Sequence, residues 1–211
     1  MNCLSEFDQA IAANVTSGLV STEVCLEQCA RIAKEMLEYR GFQDIEGTTS
    51  PESISANFES MKPILFGRNC GRPNKKDCQI IFLKEVKIGV KIIRELIEKT
   101  EENVHTIIVS VLGGTSTRPL SRLVQFEILT YSQLAFNVMK HVLVPAHIFL
   151  NNEETDAVLK KYDSEKSSFP ILSRSDPVSV FCNFVMGDMI EIHQYSFGGY
   201  SEAKTSYRVV D

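Results

Sequence analysis

The chain has 211 residues, of which 44% are hydrophobic and 23% charged, and its 22 Lys+Arg against 27 Asp+Glu give a net charge of −5. That length and apolar fraction predict one or two domains with a buried core, and no apolar run approaches the ~20 residues that cross a bilayer. Up to Lys140 there are 16 basic against 17 acidic residues, and from His141 on 6 against 10; neither part is basic enough to hold nucleic acid by bulk charge.

The opening segment, Met1 to Asp8, is acidic and lacks the basic-then-apolar order of a secretory signal, so a soluble protein made inside the cell is expected. Residues 1 to 20 predict a short helix or a loosely held tail. From Ser21 to Tyr39, Val24, Ala30, Ile32, Ala33, Met36 and Leu37 recur at helical spacing, and Arg40-Gly41 ends the run. Thr48-Thr49-Ser50-Pro51 is a capping signal for a second short helix over Glu52 to Ser60, and Ile64 to Gly67 predicts a short strand. Arg68 to Lys76 carries four positive charges among Gly and Pro and reads as an exposed loop, with phosphate contact as the alternative.

Cys78 to Leu83 predicts a buried strand, Ile88 to Glu98 a helix with Val90, Ile92, Ile93, Leu96 and Ile97 turned inward, and His105 to Leu112 a second buried strand ended by Gly113-Gly114. Strand, helix, strand argues for a right-handed βαβ unit in a partly parallel sheet. A helix is expected over Leu120 to Phe126, while Ile128 to Phe136 fits either a strand or a continued helix. His141 to Pro145 reads as a crossing between domains. Ile148 to Leu150 opens the second one, and Asn151-Asn152 followed by Glu153-Glu154 caps a helix reaching Lys161. Ser175-Asp176-Pro177 is a helix start for Val178 to Phe181. Alternating Asp188 to His193 and Thr205 to Val210 predict two antiparallel strands, joined by a loop through Gly198-Gly199 that is too long for a two-residue turn. The fold class expected is therefore α+β, with a mixed α/β first domain.

Chemistry-bearing patterns are sparse. The six cysteines (Cys3, Cys25, Cys29, Cys70, Cys78, Cys182) contain no Cys-x-x-Cys pair and read as free thiols, a zinc site being the alternative. Asp77 with Glu85 and Lys87 matches the carboxylate and E-x-K order of metal-dependent nucleases. Eight residues of extended strand would hold the two carboxylates ~26 Å apart, however. His105, His141, His147 and His193 are isolated from one another and read as hydrogen-bonded structural residues. No nucleophile elbow, P-loop, dinucleotide fingerprint or zinc-protease motif is present.

Six segments together carry a resemblance. They are Lys87-Ile88-Gly89-Val90-Lys91, His141-Val142-Leu143-Val144-Pro145-Ala146-His147, Phe169-Pro170-Ile171-Leu172, Ser175-Asp176-Pro177-Val178 with Met186-Gly187-Asp188-Met189-Ile190-Glu191-Ile192, and Ser206-Tyr207-Arg208-Val209-Val210. In this order the chain resembles the fifth subunit of eukaryotic RNA polymerases, a family with an archaeal counterpart, well over residues 76 to 211 and loosely over 20 to 60. The resemblance implies an N-terminal jaw domain near downstream DNA, here 1 to 141, and a C-terminal assembly domain, here 142 to 211, that docks on the largest polymerase subunit.

It further implies no catalysis and no cofactor, other polymerase subunits as partners, weak sequence-independent contact with duplex DNA, and residence in the nucleus, or in cytoplasm or virion for a virus-encoded member. Carried over by position, Thr115, Ser116, Thr117 and Arg118 form the DNA-proximal loop; Pro145, His147, Asp176, Pro177, Tyr207 and Arg208 form the largest-subunit interface, with Arg208 suited to a bidentate pair with a partner carboxylate. The chain departs from the family in having Ser116 where a proline follows the threonine, Leu172 where a basic residue is common, Cys182-Asn183 where a glycine-bearing turn is typical, and a longer loop through Gly198-Gly199. These mark a divergent member, with a virus as one source. A metal-dependent nuclease and a free-standing interaction module are the competing readings.

Overall fold

The computed structural model describes residues 22–58, 60–69, 76–84, 90–100, 103–111, 126–194 and 204–211. The chain divides into two compact units, Met1–Phe136 and Asn137–Asp211. Both are mixtures of helix and sheet.

In the first unit, α1 (Thr22–Tyr39) buries Leu26, Cys29, Ala30, Ala33, Met36 and Leu37, which recur every three or four residues, while Arg31, Lys34 and Glu38 face outward. Then come β1 (Phe42–Gly47), α2 (Pro51–Asn57), β2 (Leu65–Asn69), β3 (Asp77–Phe82), α3 (Val90–Lys99), β4 (Val104–Ser110) and β5 (Phe126–Thr130). The strands form one sheet in chain order, antiparallel from β1 to β3 and parallel from β3 to β5.

β3 and β4 are buried along almost their whole length because each face of the sheet has a helix against it. Ile81, Ile108 and Ile128 lie in one cross-strand row, and with Leu83, Phe126 and Met61 they pack against Ile92 and Leu96 of α3. The opposite row of His105 and Glu127 faces α1, whose end is tied down by Arg40.

The parallel pairing of β3 with β4 around α3 bears out the βαβ expectation. Ile97, expected inward, is 38% exposed instead: as the neighbour of the buried Leu96 it is rotated ~100° around the helix. The ambiguous stretch after Ile128 resolves into both options in short form, since β5 ends at Thr130 and a 3₁₀ turn runs over Tyr131–Leu134. Phe126, the expected end of a helix, opens β5; Leu120 to Gln125 lie outside the described residues.

β1 was not anticipated. Its sequence, Phe42-Gln-Asp-Ile-Glu-Gly, buries only Phe42 and lacks alternation. It is an edge strand with an irregular register between Gln43 and Glu46, where Asp44 takes a positive φ of 46°. Gly47 closes it at φ 130°, and a Cβ there would sit 2.1 Å from the Ile64 carbonyl oxygen. Only glycine lets β1 approach β2 so closely.

An ion pair between buried Arg40 and half-buried Glu127 locks α1 to the sheet. Arg40, directly after the helix, donates through Nη1 to Glu127 Oε2 and through Nη2 to Oε1, both at 2.7 Å. Its side chain is 1% exposed. His105 Nε2 lies 3.2 Å from Glu127 Oε2 as a third partner. Burial alone would raise the carboxyl, but the charge of Arg40 and the hydrogen bonds from His105 and Arg40 outweigh it and hold Glu127 down at about 2, from an ordinary 4.5.

The second unit carries a 3₁₀ turn at Val138–Lys140, β6 (Ala146–Leu150), α4 (Asn152–Tyr162), β7 (Ile171–Leu172), α5 (Pro177–Cys182), β8 (Met189–Gln194) and β9 (Lys204–Val210). Its sheet has the order β6-β8-β9-β7, antiparallel except for the β7–β9 pair. The register sorts side chains by face. Leu150, Met189, Tyr207 and Val209 meet Val158 and Leu159 of α4, together with Phe169. Leu172, Ile190, Ile192 and Val210 meet Val178 and Cys182 of α5, together with Phe184, Val144 and Met139. α4 starts on a reciprocal cap, Asn151 Oδ1 accepting from Glu154 N at 2.9 Å and Glu154 Oε2 from Asn151 N at 2.8 Å.

Two outcomes are expected. Gly47→Ala should lower unfolding stability by ~2 kcal/mol or more, whereas Gly41→Ala, at φ 82° in open space, should cost only ~1 kcal/mol; urea titrations that rank them equally would contradict the close approach. The stabilisation from Glu127 is complete above its ordinary carboxylate range and lost as pH falls from about 4.5 towards about 2. Glu127→Gln should cost ~3–5 kcal/mol at pH 7 and flatten that part of the acid-unfolding curve. An unchanged acid slope would mean that Glu127 does not drive it.

Candidate functional site

All but one of the segments that carried the resemblance lie in the second unit, around α5 and the chain end; of the other, Lys87 to Gly89 lie outside the described residues. Asp176 starts α5: its Oδ1 accepts from Val178 N at 2.8 Å, and Pro177 sits at the first turn, where no N–H is needed. Upstream, Ser173 Oγ accepts from Ser175 N at 3.2 Å and lies 2.8 Å from Ser175 Oγ. The helix ends at Asn183 in the left-handed conformation, φ 53° and ψ 50°, with Phe184 N donating to Ser179 O at 3.0 Å. This accounts for the departure at Cys182-Asn183, because asparagine tolerates the conformation that glycine fills elsewhere.

The final strand is knotted into its neighbours by backbone bonds. Val209 N donates to Pro170 O (3.0 Å), Val210 N to Asp188 O (2.9 Å), Asp211 N to Leu172 O (3.1 Å), Gly187 N to Val210 O (2.9 Å) and Arg174 N to Asp211 O (3.1 Å). Phe169 to Leu172, Met186 to Ile192 and Ser206 to Val210 are thus one local structure, although up to forty residues separate them in sequence. Leu172, the other departure, is buried in the α5 core cluster, where an apolar side chain fits and a basic one would need a partner.

The six candidate interface residues are not all brought together. His147 and Arg208 lie on the α5 side of the sheet, in adjacent cross-strand rows with Ile192 and Ile190 respectively. Asp176 and Pro177 head the helix over that side. Pro145 joins them through its carbonyl, which accepts from His147 Nδ1 at 2.7 Å; a carbonyl can only accept, so the proton is on Nδ1.

Tyr207 points to the other side. There it meets Tyr162 and Phe169 edge-on, at centroid distances of 5.8 and 6.4 Å. Desolvation raises its phenol above the ordinary range, with the charge of Glu191 adding to the effect. Arg208 is half-exposed and donates through Nη1 to Ile171 O at 3.1 Å. One arm of its fork is engaged within the chain, which steadies β7 and fixes the direction of the guanidinium.

Residues that the sequence did not single out as interface candidates lie beside α5. Val142 and Leu143 are 75% and 68% exposed, and Val185 and Met186 are 52% and 70% exposed. The two loops that carry them are anchored next to each other, since Val144 and Met139 pack in the same cluster as Phe184 and Cys182. Four large apolar side chains in loops rather than on a periodic face were the signal available in the sequence.

Thr115, Ser116, Thr117 and Arg118 lie outside the described residues, as do Glu85 and Lys87, so only Asp77 of the nuclease arrangement is placed, at the start of β3. Among the described residues, no group of three or more His, Cys, Asp or Glu is placed to hold a metal ion. Cys29 is buried in α1, and desolvation together with Cys25 pushes its thiol up to about 12, far from a reactive thiolate. Cys25, Cys78 and Cys182 are not joined in disulfides either, while Cys3 and Cys70 lie outside the described residues. The described histidines have local partners: His105 with Glu127, His193 with Glu191, His147 with Pro145, and His141 Nδ1 accepting from Leu143 N at 3.2 Å.

Comparison with known proteins matches residues 136–210 to the family described as RNA polymerase Rpb5, C-terminal domain, which is nearly the whole second unit. The chain is 25% identical over 141 residues to DNA-directed RNA polymerase V subunit 5A of Arabidopsis thaliana, covering 64% of this chain and 63% of the relative. It is 44% identical over 61 residues to DNA-directed RNA polymerase subunit Rpo5 of Thermococcus kodakarensis, covering 29% of this chain and 74% of the relative. To DNA-directed RNA polymerases I, II, and III subunit RPABC1 of Caenorhabditis briggsae it is 26% identical over 120 residues, covering 54% and 57%. The chain thus spans about three fifths of the plant and nematode relatives it matches.

The helix ending at Asn183 is open to test. Asn183→Gly should leave stability equal or raise it by up to ~1 kcal/mol, and Asn183→Val should lower it by ~1–2 kcal/mol, because a β-branched residue resists the left-handed region. Equal thermal midpoints for the two variants would contradict the geometry described here.

Proposed function

Because the chain belongs to the Rpb5 family of RNA polymerase subunits, we propose that it serves as a noncatalytic subunit of a multisubunit DNA-directed RNA polymerase and takes part in transcription. The observation that carries this reading is the coincidence of the matched segment, 136–210, with a compact unit whose motif residues build one continuous structure. The second unit is the assembly module and docks on the largest polymerase subunit. The surface on the α5 side supports that role: exposed apolar side chains at Val142, Leu143, Val185 and Met186 supply area to bury, and Arg208, with one nitrogen held by Ile171, offers the rest of its fork to a carboxylate. Pro145, His147, Asp176 and Pro177 shape this surface. Tyr207 stiffens the unit from behind.

The first unit acts as the jaw beside downstream DNA. Thr115, Ser116, Thr117 and Arg118 contact backbone phosphates there, a mode of binding that positions a duplex without reading its sequence. The near-zero net charge of the chain up to Lys140 agrees with weak contact of this kind. The site of action is the nucleus, or the cytoplasm or virion if the gene is viral. The subunit needs no cofactor of its own.

Leu143→Asp and Met186→Asp change exposed side chains and should leave folding intact while reducing recovery of the largest subunit in pull-downs at least tenfold. Arg208→Ala should reduce it severalfold. Recovery at the wild-type level from folded Leu143→Asp and Met186→Asp proteins would move the docking surface elsewhere. In the assembled polymerase, Arg118→Ala should lower the slope of log affinity for downstream DNA against log salt by about one. An identical slope would remove Arg118 from the DNA path.

A further inference from the structure

We draw no further inference here: the strongest candidate, the exposed apolar loops carrying Val142, Leu143, Val185 and Met186 beside α5, belongs to the docking surface already proposed, and nothing in the structure shows what else covers it.

Discussion

The first unit depends on one largely buried ion pair. Arg40 and Glu127 are 87 residues apart in sequence, and their two parallel hydrogen bonds fasten the end of α1 to β5, at the edge of the sheet. Removing two charges from water is costly, and that cost is offset only when the geometry is good and the remaining lone pairs are filled. Both conditions hold: the fork is bidentate, and His105 supplies a further partner. The consequence is structural rather than chemical. With α1 fixed across the sheet, Cys78, Ile80, Phe82, Ile107 and Val109 are covered, and β3 and β4 can be apolar on both faces.

The second unit reaches its rigidity by another route. Its core is divided by a four-stranded sheet, with α4 closing one side and α5 the other. Short helices of this kind contribute little stability by themselves, and here their ends are secured by side chains: Asn151 with Glu154, and Asp176 under Pro177. Backbone bonds from 209–211 to Pro170, Leu172, Arg174 and Asp188 then fasten the last strand. Such a unit suits a passive part of an assembly, which presents a preformed surface and loses little conformational entropy on docking.

Much of this was legible because it is local. The Ser175-Asp176-Pro177 start, the alternation in β8 and β9, the capped α4 and the strand-helix-strand order of β3, α3 and β4 all follow from short-range rules, and each is found in the structure. What sequence reading missed depends on distant partners. β1 has no alternation of its own and exists because β2 offers an edge. Arg40 reads as the basic end of a helix until Glu127 is folded against it. Ile97 fits an inward face by type, yet it stands ~100° around the helix from the buried Leu96. The pairing of the Val142-Leu143 and Val185-Met186 loops needs the α5 cluster to bring them to one side. Arg208 was legible as a cation in a strand, but not its attachment to Ile171 O, which requires the parallel pairing of β7 with β9.

The central claim is membership of a polymerase, and purification of the tagged chain from its native source, at moderate salt, tests it most directly. Mass spectrometry of the co-eluting proteins should find two very large catalytic polymerase subunits with their smaller companions, in near one-to-one ratio with the tagged chain. Elution of the chain alone would contradict the account, leaving the family fold without the assembly.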